Sequence, residues 1–576
     1  MKDLHKIRFW LEGKSGDICQ HLNACICRYS SHDTGILIDS DDYNEVENAV
    51  ALLQRKGTAI AIRLDANPGL LKKVDSISGI DAVIVSDEIL KWDISDIEVI
   101  RNRLSGKEIL FGVALQIERE DYSNVMTSIV NSINYFDVIQ VKNGRRSNRF
   151  GYDFERVSYV GKMLTNLSEN NILLFANVIT DVNGVEIPNA ECKVFVRECV
   201  SSGMRPVFKL SMASDERANA LTKEIFDSYS KKTQVCPIGV VWNENTGKMF
   251  TEKDRYEGAE LPLIGIRRIL SRMSESYTPV HVSKIDVYNG NLLIVPSHTL
   301  TDGDSLLKFI NRGGSVILFE DAAMYREDGE LITDSKLYNS LGITVTDKRA
   351  GARLHEQFGG NVHSYHEIQK FHTLFSGFEE CRVLAFGGEI MLVKSEGKLK
   401  QLTGYVPGFP ISPCEMAYIK KRMPEQGTIF VGELNTGSRV VYFAGDQDRL
   451  YGRDEFNDYF TLLRNAIAWC VEGKSITSIK SKGTLDASFY KDEDAYYLYL
   501  TNLTGINGYG GCAEKTVPVK DTLITVDIPK AGDCCVESDS VCHINVSKDK
   551  VIISVDEILS GAYLKITNQA KENGSD

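Results

Sequence analysis

The chain has 576 residues, 43% apolar and 25% charged, with 66 Lys plus Arg against 79 Asp plus Glu and a net charge of -13. At about 100–200 residues per domain there is room for three or four domains, and the apolar share is too high for a disordered chain. No stretch reaches the roughly 18–20 apolar residues of a membrane span. The acidic balance excludes a global basic field for nucleic acid or an anionic membrane.

Residues Met1–Trp10 carry charges where a secretory signal needs an unbroken apolar core, so a cytoplasmic protein is expected. The 13 cysteines are an odd number spread over a long chain, which does not make a disulfide framework. Cys25 with Cys27, and Cys534 with Cys535, lack a second pair or a histidine at zinc-finger spacing. Reduced thiols, no metal and no cofactor are expected.

From the start, short β-branched runs alternate with amphipathic segments. Strands are expected at Ile7–Leu11, Gly35–Asp39, Ala59–Leu64, Asp81–Val85, Ile109–Leu115, Phe136–Val141, Ile172–Val178 and Pro206–Leu210. Helices are expected at Asn44–Arg55, Ser123–Ile133, Asp153–Leu167 and Ala190–Ser201. Eight continuous apolar strands, each followed by a helix, predict a (β/α)8 TIM barrel over residues 1–234. A doubly wound open sheet is the main alternative.

Barrel chemistry sits in the loops after the strand C-termini. Those positions hold Glu12; Asp39, Asp41 and Asp42; Arg63 and Asp65; Asp87 and Glu88; Gln116 and Glu118; Lys142 and Asn143; Asn177, Thr180 and Asp181; Lys209 and Ser211. The abundance of carboxylates fits glycoside hydrolysis, which needs one protonated and one ionised carboxyl group across the scissile bond. It fits equally a solvated acidic rim that caps the following helices. Lys142, Asn143, Arg145, Arg146 and Arg149 form a loop rich in cations, unusual in an acidic chain. With Arg63 and Lys209 on the same face, it would hold a carboxylate, sulfate or phosphate on a ligand, or pair with neighbouring acids.

A new α/β unit opens near Val235. Strands are expected at Pro237–Asn243, Leu292–Pro296, Ser315–Phe319, Thr428–Val431 and Arg439–Phe443, with helices at Gly258–Ser274, Asp302–Asn311 and Tyr459–Val471. This spacing predicts an open parallel sheet over 235–473. Tyr405–Pro413, rich in proline and aromatics, reads as a fixed loop. From Ser475, short alternating runs at Gly483–Phe489, Ala495–Asn502, Leu523–Ile528, His543–Val546, Val551–Ser554 and Ala562–Thr567 predict a β-sandwich over 474–576.

The stretches Pro237–Asn243, Leu293–Pro296, Phe309–Phe319, Ala322–Leu331, Gly404–Glu415 and Val441–Asn465 together resemble bacterial glycosyl-hydrolase-like chains in which a barrel is followed by a β-galactosidase trimerisation-like domain. The resemblance implies a middle doubly wound, flavodoxin-like domain similar to class I glutamine amidotransferases that have lost their nucleophile. In agreement, the strand ending at Pro296 runs into Ser297, His298 and Thr299, with no cysteine. His355, His363, His366 and His372 lie close together; the spacing of His363 and His366 suggests a metal pair, but no third ligand follows at familiar spacing, so no metal is expected.

The resemblance further implies a homo-oligomer, a trimer first, acting on a carbohydrate, an anionic one if the cation loop binds it. The chain departs from the family 42 β-galactosidases, which place an Asn-Glu acid after strand four and a Glu nucleophile after strand seven. Here those ends carry Ser86, Asp87 and Glu88, and Thr180 and Asp181, with Glu186 further on. The expectation is that Asp87 or Glu88 is the general acid/base and Asp181 the nucleophile or base. Substrate-binding residues would be Glu12, Asp39, Arg63, Asp65, Lys142, Asn143, Arg145, Arg146 and Lys209. The competing expectation is an inactive carbohydrate-binding or scaffold protein with a degenerate glycosidase barrel.

Overall fold

The computed structural model describes residues 7–14, 34–40, 42–54, 58–74, 76–116, 122–142, 155–168, 171–182, 185–209, 216–225, 232–251, 254–326, 329–332, 334–346, 348–351, 364–409, 413–506, 514–528 and 534–568. The chain divides into two compact units, Met1–Val235 with Ile479–Asp576, and Cys236–Ser478.

In the first unit eight parallel strands close a barrel. They are β1 (Phe9–Gly13), β2 (Thr34–Asp39), β3 (Ala59–Leu64), β4 (Ala82–Ser86), β5 (Leu110–Gln116), β6 (Val138–Lys142), β7 (Leu173–Asn177) and β8 (Arg205–Lys209). Each expected strand is present within a few residues, and helices at Tyr43–Gln54, Tyr122–Ser132, Glu155–Leu167 and Asn189–Ser201 match their sequence signals. The strands are apolar on both sides because helices cover the outside while side chains fill the inside.

The filling is uneven. Trp10 and Phe175 share the interior, ring centroids 5.0 Å apart, and face Leu37, Ala59, Ala61, Ala82 and Ala114. Strands β2 to β5 supply small side chains to make room for the indole. At Gly35 an added Cβ would lie 2.5 Å from the Trp10 ring. Side chains alternate along a strand, so residues two beyond these core positions point into the mouth. That parity sends Glu12, Asp39, Arg63, Gln140 and Asn177 inward at the C-terminal end.

The C-terminal β-structure belongs to the same unit. An antiparallel sheet runs in the order Thr233–Gln234, Leu485–Lys491, Ala495–Asn502, Gly561–Asn568, Cys534–Ser538. A second antiparallel group joins Val519–Asp527, Lys550–Ile558 and Cys542–Ser547. The first sheet is tied to the barrel helices by buried polar contacts. Asp486 accepts from Ser158 Oγ at 2.7 Å and from Lys162 Nζ at 3.3 Å, and Tyr490 donates to the Ser201 carbonyl at 2.8 Å.

The second unit is built on a seven-stranded sheet in the order Thr278–His281, Ile238–Trp242, Leu292–Val295, Ser315–Phe319, Arg439–Phe443, Ile429–Glu433, Lys400–Gln401. The first five strands are parallel; Ile429–Glu433 pairs antiparallel with Arg439–Phe443, and Lys400–Gln401 pairs antiparallel with Ile429–Glu433. The expected helices are found at Leu261–Met273, Gly303–Asn311 and Asn457–Val471. Asp302 caps the second of these, accepting from the Asp304 N–H at 2.8 Å. Leu261–Met273 packs so closely on Gln447–Asp454 that a Cβ on Gly265 would meet the Asp448 carbonyl at 1.9 Å.

One expectation is corrected here. Tyr405 does not begin a loop: it lies in the strand Thr403–Val406 of a four-stranded antiparallel sheet with Val383–Phe386, Ser364–Ile368 and Met423–Gly427. These strands are short, and Ser364–Ile368 mixes buried Ser364 and His366 with half-buried Glu367. Of the four, only Val383–Phe386 is an apolar run.

Candidate functional site at the barrel mouth

Glu12 is the centre of the mouth. Its Oε2 accepts from Asn177 Nδ2 at 2.6 Å and from Gln140 Nε2 at 3.2 Å, and its Oε1 is ion-paired with Arg63 Nη2. Gln140 Nε2 also donates to Asn177 Oδ1 at 2.8 Å. Arg63 reaches sideways as well, its Nε donating to Asp39 Oδ1 at 3.2 Å while Nη2 meets the other Asp39 oxygen. One guanidinium therefore holds two carboxylates from β1 and β2, a geometry that fixes their direction as well as their charge.

Lys142 stands half-buried beside this group. Burial first, then the charge of Arg63, pulls its ammonium below the ordinary lysine range, against Glu12, Asp39 and Asp87. Asp87 and Glu88 part company on the short turn Asp87–Lys91 that follows β4. Asp87 is buried and its Oδ2 accepts the Gln116 N–H at 3.3 Å, whereas Glu88 is exposed and pairs with Lys91 Nζ at 2.6 Å. Of the two, only Asp87 is buried, and its charge acts on Lys142.

The other expected residues are dispersed. Asp65 is exposed, and so is Lys209 at the end of β8. Asp181 lies in a two-residue ribbon, Asp181–Val182 against Val185–Glu186, after β7; its side chain is outside the described ones. Asn143, Arg145, Arg146 and Arg149 also lie outside the described residues. Gln140 was not expected at all. Its signal is a polar residue inside an apolar parallel strand, in phase with Val138 and Lys142.

Two buried polar atoms at this end are left over. Gln140 Oε1 and Arg63 Nη1 have no hydrogen-bond partner among the described residues. Leaving such a group unsatisfied costs about 1–3 kcal/mol, and more when it is charged.

In the second unit His298 follows the strand Leu292–Val295 in a left-handed conformation, φ 63°. It is fully buried, as a packed histidine, with Nδ1 at 2.9 Å from Asp321 Oδ2. His298, Glu320 and Asp321 could together hold a metal ion, but Arg349 already bonds both carboxylates and supplies the balancing charge. Burial, then Asp321, raises the Glu320 carboxyl. Against burial, His298 and Arg349 hold Asp321 low. His366 is also internal, bonded to Thr428 and Gln447, and burial lowers it to about 3. His355 and His363 are outside the described residues.

No protein-family model matches the chain, and no curated protein does. Solved structures do. The alpha-L-fucosidase isoenzyme 2 from Paenibacillus thiaminolyticus aligns over 98% of this chain and 100% of its own, at 10% identity and a TM-score of 0.63. Gan42B, a GH42 beta-galactosidase from G. stearothermophilus, aligns over 98% of both chains, at 8% identity and 0.62. The beta-galactosidase from Rahnella sp. R3 aligns over 97% of this chain and 98% of its own, at 9% identity and 0.60. At such identity the likeness is one of fold, along nearly the whole chain. No described helix is long and apolar enough to cross a membrane.

Proposed function

We propose that the protein is a glycoside hydrolase-like enzyme that binds a sugar at the barrel mouth and cleaves its glycosidic bond with two carboxyl groups. The observation that carries this reading is the convergence of Glu12, Asp39, Arg63, Asp87, Gln140, Lys142 and Asn177 on one strand-end layer, with Gln140 Oε1 and Arg63 Nη1 buried and unpartnered among the described residues. Sugar hydroxyls both donate and accept, so they suit an amide oxygen and a guanidinium nitrogen together. Glycosidases with this fold support the same reading.

In this reading Asp87 is the general acid/base, donating its proton to the departing glycosidic oxygen. Asp181 is the partner that attacks the anomeric carbon or activates water. Glu12, Asp39 and Arg63 orient hydroxyls, and Lys142 with Arg145 and Arg146 favours an acidic sugar. The middle unit is read as the trimerisation-like, amidotransferase-like domain of the resembling group, and the assembly as a trimer.

A second reading has its own observation. Glu88 turns outward to Lys91, and Glu12 and Asp39 are both held by Arg63, an arrangement that favours binding over turnover. A panel of neutral and acidic nitrophenyl glycosides separates the two. Release of nitrophenol from at least one supports the enzyme, whereas saturable binding of a sugar with no release from any supports the binding protein.

A further inference from the structure

The second unit holds a separate constellation of three side chains. Strands Ile238–Trp242 and Thr278–His281 are parallel neighbours, with Trp242 paired to His281. Glu244, just past the first strand, thus comes beside the end of the second. His281 Nε2 lies 2.8 Å from Glu244 Oε2, and His281 Nδ1 lies 2.7 Å from Ser283 Oγ. The side chains of Glu244 and His281 are each 8% exposed, while Ser283 is exposed.

The proton positions follow from the partners. The backbone N–H of Ser283 points at Nδ1 from 3.3 Å, and an N–H can only donate. Nδ1 is therefore the lone-pair nitrogen, and the ring proton sits on Nε2, facing the Glu244 carboxylate. Ser283 Oγ, the nearer group, then donates its own hydrogen to Nδ1. Trp242 lies tilted against the imidazole, ring centroids 4.7 Å apart. A helix-capping role for His281 accounts for the Ser283 N–H contact. It accounts for neither the buried carboxylate behind the ring nor the short contact to an exposed hydroxyl.

We propose that Ser283 is a nucleophilic serine, with His281 as its base and Glu244 as the group that orients the base, and that it accepts an acyl group from a carboxylic ester. Oγ bonds to the ester carbonyl carbon as its proton passes to His281 Nδ1. Collapse of the adduct breaks the bond to the alkoxy oxygen, which leaves with that proton as the alcohol. Water, giving its proton to the same nitrogen, then cleaves the acyl-serine to the free acid and restores the hydroxyl. Because Ser283 stands at the surface, the substrate is an ester whose carbonyl projects from its body. The proposal is independent of the barrel.

The test uses the full chain and a fluorophosphonate probe, with peptide mass mapping, beside p-nitrophenyl acetate hydrolysis. The probe is expected on Ser283. Glu244→Gln keeps the side-chain shape but removes the charge that orients the ring, and should slow labelling by about 10²-fold or more, since the orienting carboxylate of such a triad is worth up to about 10⁴-fold. Ser283→Ala, at an exposed position that leaves the fold intact, should abolish both labelling and nitrophenyl acetate turnover. No label, a label on another serine, a Glu244→Gln variant that labels at the parent rate, or undiminished turnover in Ser283→Ala would each overturn the proposal.

Discussion

Asn177 donates to Glu12 across the top of an intervening strand: their 2.6 Å bond joins β7 to β1, with β8 between them. A bond that spans three strand ends sets the direction of the central carboxylate. If Glu12 orients a sugar, removing its support matters more than the small loss of packing. Asn177→Ala should raise KM for a cleaved glycoside about tenfold or more, on the scale of one charge-assisted hydrogen bond. Steady-state kinetics measure this, with the melting temperature as the control.

Arg63 is buried between two carboxylates, and breaking such an arrangement from the cationic side leaves charge uncompensated. Arg63→Met should destabilise the barrel by about 3 kcal/mol, the lower end for a buried pair because Asp39 is partly exposed. Urea unfolding midpoints would show it. Asp39→Asn should be much milder.

Gly35 and Trp10 form a size-matched pair. Gly35→Ala would push a methyl group to 2.5 Å from the indole, and overpacking of that kind costs about 1–3 kcal/mol. Thermal unfolding checks the value. An unchanged melting temperature would mean that the indole has somewhere else to go.

Lys232 links stability to pH. Its Nζ donates to Tyr499 Oη at 2.8 Å and lies 3.9 Å from the centre of the Tyr497 ring, and burial lowers it to about 7. The unfolded chain has an ordinary lysine near pKa 10.4, so between about 7 and 10.4 the unfolded state binds more protons than the folded one. Stability from this group therefore rises with pH across that window, and the cost of charging it is complete below it. Lys232→Met should flatten the slope of unfolding free energy against pH between 7 and 10.

Much of the barrel was legible because each strand is a run of five to seven residues such as Ala59–Leu64, bounded by helical periodicity on both sides. The sheet around Thr403–Val406 was not, since its strands carry buried histidine and serine where apolar residues would signal a core. In the candidate site, strand ends alone pointed to Glu12, Asp39, Arg63 and Asp87. Which of Asp87 and Glu88 turns inward depends on the short turn after β4, and that geometry leaves no trace in residue type. Gln140 could have been found from strand phase. The grouping of Glu244, His281 and Ser283 could not, because it depends on the parallel register of two strands far apart in sequence.

The assembly is open to direct measurement. If the middle unit acts as the trimerisation-like domain, light scattering on a gel-filtration peak should give three times the chain mass of 64.3 kDa at micromolar concentration. A monomer at that concentration would contradict the resemblance on which the trimer rests.

The central claim is that carboxylate chemistry on a glycoside takes place at the barrel mouth, with buried Asp87 and not exposed Glu88 as the acid. The most direct test compares Asp87→Asn with Glu88→Gln on an aryl glycoside that the parent cleaves. Loss of a general acid lowers the rate by about 10²–10⁴-fold, so Asp87→Asn should fall by at least that lower figure at an unchanged melting temperature, while Glu88→Gln stays near the parent rate. A parent-like rate for Asp87→Asn, or a collapse confined to Glu88→Gln, would contradict the account.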